Sequence, residues 1–328
     1  MSQRIKIGVL GAGHMHIERV NTLLKFSDVF EITGIAEDDP AIKSDALKKN
    51  VLRDLKWMDS EELLAAPGLQ AVLVETEEHA LVPAALRCIR AGKHIALDKP
   101  AGESLKAFRE VLDEAEKRKL AVQVGYMYRY NEAVRYCVNA VREGLLGNIF
   151  AIDAMMNRVD PDDFRRIIGT FTGGVNYIFG CHLIDIAVTL LGRPEKIIPF
   201  NYRSRNDNVA DNSVTVLQYP HAVCTVRTSI TEQRGFERRY INVCGERGSI
   251  VIQPIELGKG ANMSSGRLML TLETGTQEIS LPPPRGRYDD QLLEFAKIVR
   301  CETENPWPFS HELLVHECVL KASGLEPN

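Results

Sequence analysis

The sequence predicts an α/β chain: first a doubly wound parallel sheet, then an α+β region built on a large, mostly antiparallel sheet. Three observations carry this reading. Short apolar runs alternate with amphipathic segments up to about residue 126, and after about residue 145 strand candidates succeed one another with few helices between them. The chain also has 328 residues, whereas single cores stop growing near ~250–300 residues.

In the first region the runs at 5–11 (IKIGVLG), 31–37, 70–76, 94–98 and 120–126 are short, rich in Val and Ile, and bounded by Gly, Pro or charge. Those are the marks of buried strands. Segments 14–26, 40–49, 60–66, 79–91 and 104–119 carry helical spacing. Repeated strand–helix alternation implies a parallel sheet with helices on both faces and right-handed crossovers. In the second region NIFAIDAMMN, EKIIPFNYRS, NSVTVLQY, AVCTVRTSIT, RRYINVCG, GSIVIQ, RLMLTLE and TQEISL are successive strands. Tight turns at 219–221 and 245–248 make that sheet largely antiparallel. Helices at 131–143 and 177–191 interrupt it, 282–286 is a loop, and helices at 288–300 and 310–323 close the chain. The predicted domains are 1–126 and 127–328, with the helix at 310–323 expected to pack back on the first.

Composition narrows the function. Apolar content of 45%, charged content of 26% and a net charge of −4 are ordinary for a soluble globular protein and give nucleic acid or an anionic membrane no hold. Seven scattered cysteines, none spaced C-x-x-C, point to reduced thiols in a cytoplasmic protein. The N-terminal apolar run is too short for a signal peptide, and no stretch approaches the roughly 18–20 apolar residues of a membrane span.

GVLGAGHMH follows the first strand and opens the first helix, the context a dinucleotide fingerprint requires. Gly11 permits the tight turn, and Gly13 lets the backbone approach a diphosphate at the helix N-terminus. The third glycine of the fingerprint is replaced by His16, so helix–sheet packing there is looser or differently arranged. Glu37 ends the second strand, where an acid accepts hydrogen bonds from a ribose. Its charge, with Asp38 and Asp39, repels a 2′-phosphate, which favours NAD over NADP. The bland alternative is that these acids cap the next helix. His14 and His16, two apart on a helix, point to different faces, so no metal pair and no metal site is expected.

Asp98-Lys99-Pro100 stands at the C-terminal edge of a buried strand, where ligands lie in open α/β sheets. Beside apolar neighbours Lys99 is suited to proton transfer. In GGVNYIFGCHLID the helical positions 178, 182, 185 and 189 share a face, which places His182 and Asp185 together. Asp185 would hydrogen-bond the imidazole and raise its basicity; a helix-surface or loop-anchoring acid is the even alternative. Asn157, Arg158 and the acidic loop 160–163 either line a pocket or form an exposed charged turn.

AGKHIALDKP, VGYMYRYN, GGVNYIFGCHLID, CGERGSI and HELLVHECVLKASG together make nearly the whole chain similar to the glucose–fructose oxidoreductase / inositol dehydrogenase / MocA family of NAD(P)-dependent enzymes. The resemblance implies a Rossmann domain followed by a domain with an open-faced antiparallel sheet. It implies that Lys99 and His182 flank the substrate carbon and the nicotinamide, and that Tyr128 and Arg129 lie near the substrate. Thr76 and His79 match a segment along the cofactor whose usual proline and asparagine are glutamates here. The expected cofactor-binding set is Gly11, Ala12, Gly13, His14, Met15, Glu37, Glu75, Thr76, His79, Asp98 and Lys99. Related dehydrogenases carry an aspartate one turn before the histidine; Ile178 stands there instead. The expected activity is NAD-dependent hydride transfer with a secondary alcohol of a polyol, sugar or sugar derivative. Two other readings remain open: an NAD-dependent glycoside-cleaving relative, and a non-catalytic NAD-sensing regulator. The family also implies a homodimer or homotetramer formed through the C-terminal sheet.

Overall fold

The computed structural model describes residues 3–258, 263–282 and 285–327. Positions 283 and 284 of the expected loop at 282–286 lie outside the described residues. The chain divides into two compact units, 1–125 with 288–313, and 126–287 with 314–327.

The first unit holds a five-stranded parallel sheet of β1 (Ile5–Leu10), β2 (Phe30–Ala36), β3 (Ala71–Val74), β4 (His94–Leu97) and β5 (Val122–Val124), in the order β2-β1-β3-β4-β5. The chain reverses direction across the sheet between β1 and β3, and in such sheets that switch point is where ligands lie. The intervening helices are α1 (Arg19–Lys25), α2 (Pro40–Ala46), α3 (Asn50–Arg53), α4 (Ser60–Leu64), α5 (Glu78–Arg90) and α6 (Leu105–Arg118). Their limits follow local chemistry. Asp39 caps α2 by accepting from the Ala41 and Ile42 amides, and Ser104 caps α6 by accepting from Ala107. The first helix corrects the sequence reading: residues 14–18 form a turn and α1 starts only at Arg19. The short α3 was absent from the sequence reading.

The second unit is built on an eight-stranded sheet. Its strands are β6 (Ile149–Asn157), β7 (Lys196–Tyr202), β8 (Asn212–Gln218), β9 (Val223–Ser229), β10 (Tyr240–Gly245) and β11 (Gly248–Ile252). A separate small ladder pairs β12 (Glu256–Leu257) with β13 (Ser264–Ser265), and β14 (Leu268–Leu272) and β15 (Gly275–Ile279) complete the large sheet. The order is β15-β14-β11-β10-β6-β9-β8-β7, antiparallel except where β6 meets β9. The helices here are α7 (Glu132–Arg142), α8 (Asp162–Ile168) and α9 (Cys181–Leu191). Helix α8 corrects the expected acidic loop: Pro161 stands at its N-cap, and Asp162 and Asp163 face the positive end of its dipole.

Two closing helices, α10 (Asp289–Val299) and α11 (Phe309–Ala322), follow. A continuous domain from 127 to the end is not what forms. Leu292, Phe295, Ala296 and Val299 of α10 are buried in one core with Ile7, Val9, Leu73 and Ala96 of the parallel sheet. Helical spacing had marked that apolar stripe, but spacing does not say which sheet a stripe covers. Residues 288–313 group with the first unit, whereas 314–327, which include most of the helix expected to pack back on it, group with the second.

Candidate active site

Two glycines shape the turn after β1. Gly11 has φ +96°, and a Cβ there would lie 2.3 Å from the Thr76 amide nitrogen, so only glycine lets the turn pass the end of β3 this closely. At Gly13 a Cβ would meet the Glu77 side chain at 2.7 Å. The Ala12 N–H donates to Glu37 Oε2 at 2.8 Å and the His14 N–H to the Glu75 carbonyl at 2.9 Å. The amides of Gly13 and Met15 donate to no described residue, which leaves two N–H groups for an anion. Glu37 also accepts from the Asp39 amide at 2.9 Å, so its carboxylate is fixed at the end of β2 with lone pairs to spare for ribose hydroxyls. These residues fit a dinucleotide. Capping accounts for Asp39 only, since Asp38 pairs with Arg87 at 2.7 Å.

Beneath this turn lies a buried charged cluster. His14 Nδ1 is 3.0 Å from Asp98 Oδ2, and His16 Nδ1 is 3.1 Å from Asp98 Oδ1. Arg19 donates to Glu75 Oε1 at 3.0 Å and lies 3.6 Å from Asp98. Glu78 Oε1 is 3.5 Å from His14 Nε2. The two imidazoles therefore meet on one carboxylate, contrary to the expectation that they diverge, because residues 14–18 are a turn and not a helix. Burial pushes the Glu75 carboxyl well above its usual range, and the neighbouring Asp98 charge adds to this. Burial also works against charge on Asp98, but His14 and His16 outweigh it and hold that carboxyl well below the usual range. Desolvation lowers the His16 imidazole to about 3 despite Asp98 beside it. Lys99, 1% exposed, follows directly, and its backbone N–H donates to Asp98 Oδ1 at 2.6 Å. Thr76 is only partly exposed at the edge of β3, and the His79 side chain is 79% exposed.

In the second unit His182 sits on α9 with the Tyr128 and Tyr126 rings edge-on at 4.9 and 6.1 Å between centroids. Asp185, three residues on, accepts from Arg129 Nε at 3.0 Å and Nη2 at 2.6 Å. That bidentate pair, nearly fully buried, gives Asp185 a partner the sequence did not predict: it fixes Arg129, whose guanidinium also lies 4.7 Å over the Tyr126 ring. Tyr128, predicted beside substrate, donates its hydroxyl to Glu256 at 2.5 Å; burial, then the Glu256 charge, push its pKa upward. Arg239 donates from Nε to the Asn157 carbonyl at 3.1 Å, and Arg158 pairs with Asp160 at 2.5 Å. Residues 176–180 form a wide π turn before α9, so Ile178, buried in the core, does not share a regular helical face with His182.

The structure thus gathers Gly11, Ala12, Gly13, His14, Met15, Glu37, Glu75, Thr76, Asp98 and Lys99 on one edge of the parallel sheet, and Tyr128, Arg129, His182 and Asp185 in one cluster of the second unit. Arg19, His16 and Glu78 were missed in the first, and Glu256 and Arg239 in the second. Acids crowding a strand end, as in ETEE, were the available signal for the former; the pairing of Tyr128 with Glu256 spans 128 positions and left none.

Residues 5–126 match the model of the oxidoreductase family with an NAD-binding Rossmann fold, and residues 134–251 match the GFO/IDH/MocA C-terminal domain. The chain belongs to this GFO/IDH/MocA oxidoreductase family. The chain is similar to an inositol 2-dehydrogenase/D-chiro-inositol 3-dehydrogenase of Lacticaseibacillus casei, 26% identical over 77% of this chain and 74% of the relative. The myo-inositol 2-dehydrogenase of Thermotoga maritima is 22% identical over 90% of this chain and 88% of its own. A scyllo-inositol 2-dehydrogenase (NADP(+)) of Bacillus subtilis is 26% identical over 62% of this chain and 56% of its own. Among solved structures, an oxidoreductase from Agrobacterium radiobacter in complex with NAD+, L-tartaric acid and magnesium superimposes with a TM-score of 0.80, covering 98% of this chain and 97% of that one at 16% identity. That likeness shows the fold. No helix among the described residues is long and apolar enough to cross a membrane.

Proposed function

We propose that this GFO/IDH/MocA oxidoreductase is NAD-dependent and moves a hydride between nicotinamide and a secondary alcohol carbon of a polyol, sugar or sugar derivative in the cytoplasm. The observation that carries the reading is Lys99, buried on the same sheet edge as the Gly11–Gly13 turn and tied through its backbone to Asp98. When bound, the nicotinamide supplies the hydride chemistry. Lys99 takes the hydroxyl proton, and His182 assists. Tyr128 and Arg129 support the substrate side, with Asp185 acting as a positioning residue through Arg129. Relatives named as inositol dehydrogenases support the substrate class. Glu37 favours NAD, and Arg87, which pairs with the neighbouring Asp38, is already committed to Asp38, Ser60 and Glu61.

The second face of the large sheet supports a homodimer or homotetramer. Ile198, Phe200, Tyr202, Val214 and Val216 lie on it, with Phe200 61% and Tyr202 65% exposed. The test of the reaction is a panel of inositols and sugars incubated with NAD+ or NADP+ and followed by reduced-nicotinamide absorbance. The expected result is turnover with NAD+ on at least one vicinal polyol. Sugar release with no net change in absorbance would favour glycoside cleavage, and tight NAD+ binding with no chemistry on any substrate would favour a sensor.

A further inference from the structure

We propose that His14, His16, Asp98 and Glu75 form a binding site for one divalent transition-metal cation of the Zn2+ type, set beneath the cofactor turn. The ligand atoms of His14, His16 and Asp98 all lie within 4.8 Å of one another. Tetrahedral zinc with bonds of about 2.0–2.1 Å places neighbouring ligand atoms about 3.3 Å apart. Here His14 Nδ1 to Asp98 Oδ2 is 3.0 Å, and His16 Nδ1 to the two Asp98 oxygens is 3.1 and 3.2 Å. A fourth donor stands close by: Glu75 Oε2 is 3.7 Å from His14 Nδ1.

Two further observations ask for a cation at this point. Glu75 is 0% exposed, and its Oε2 finds no hydrogen-bond donor among the described residues. A buried oxygen in that condition is costly. His14 Nδ1 faces opposite demands: the His16 amide at 3.1 Å needs its lone pair, whereas Asp98 Oδ2 at 3.0 Å needs a proton on it. A cation on the carboxylate side satisfies the imidazole, Asp98 and Glu75 together, with the amide bond given up. Three carboxyls, Glu75, Glu78 and Asp98, gather here, with Arg19 lying 3.0 Å from Glu75 and 3.6 Å from Asp98 and the buried Lys99 following Asp98, so acids outnumber the fixed cations before any metal ion is added. Two imidazoles with two carboxylates suit zinc or its first-row neighbours rather than magnesium or calcium, which prefer oxygen alone. Such an ion would tie the 14–18 turn to the end of β4 and so order the cofactor turn above it.

Metal-stripped protein is titrated with Co2+ and followed by visible absorbance, then with Zn2+ in competition with a chromophoric chelator. One equivalent per chain with the intense band of low-coordinate Co2+ is expected. His16→Gln and His14→Gln should each weaken binding by at least roughly tenfold, while far-UV circular dichroism and the thermal midpoint of the metal-free protein confirm that the variants fold. No uptake by the parent, or uptake equal in the parent and both variants, overturns the site, because the cluster would then hold only a shared proton. Neither result depends on turnover, so the dehydrogenase reading stands or falls separately.

Discussion

Two sets of ion pairs, one in each unit, are built in opposite ways. In the second, guanidinium forks meet carboxylates squarely: Arg129 with Asp185 at 2.6 Å, and Arg165 with Asp207 and Asp211 at 2.8 and 2.6 Å. In the first, three carboxyls and two imidazoles crowd around Arg19, and Glu75 Oε2 is left without a donor among the described residues. Matched groups of this kind hold a scaffold, because both partners are already satisfied. A buried group whose partners do not add up marks a place where something else belongs, a proton, an ion or a ligand.

That contrast can be broken by substitution. Asp185→Asn should cost about 3–5 kcal/mol, since it removes the carboxylate that accepts from two N–H groups of the buried Arg129 guanidinium; denaturant unfolding checks it, and an unchanged midpoint would mean the pair adds nothing to stability. Acid reads the first unit. With its pKa near 3 when folded and near 6.5 when unfolded, His16 contributes stability above pH 6.5 that is lost as the pH falls below it. The slope amounts to about 1.4 kcal/mol per pH unit, so thermal midpoints of His16→Gln measured between pH 7 and 5 should fall less steeply than those of the parent. Glu75 acts in the reverse sense, its raised pKa giving stability that is lost as pH rises. Glu75→Gln should accordingly cost the metal-free protein less than Asp185→Asn costs, because burial already disfavours the charge that the amide removes. A loss as large as that of Asp185→Asn would erase the distinction between the two clusters.

Much of this arrangement was legible in the sequence. The five parallel strands were found with small shifts at their ends, since β-branched runs between glycines and charges have few other readings. The glycine turn, Glu37 and the Asp98-Lys99 edge came from local pattern, because each is fixed by the strand immediately before it. What failed was non-local or depended on helix phase. Alpha-helical spacing was assumed to run from residue 14, which sent His14 and His16 apart, and from residue 177, which put Ile178 in line with His182. A turn in one case and a π turn in the other change the phase by less than one revolution, enough to redirect a side chain. Arg129, 56 positions away, is a partner of Asp185 that local helical spacing could not point to. Helix α10 showed its apolar stripe but not the sheet that stripe covers.

The most direct measurement is on Lys99. The Lys99→Ala enzyme is assayed for turnover on the best polyol and, separately, for NAD+ binding by calorimetry. The account predicts a rate lowered by about 10²–10⁴, the usual share of a general acid–base group, with NAD+ affinity within about twofold of the parent. Turnover at the parental rate, in protein that still binds NAD+, would contradict it.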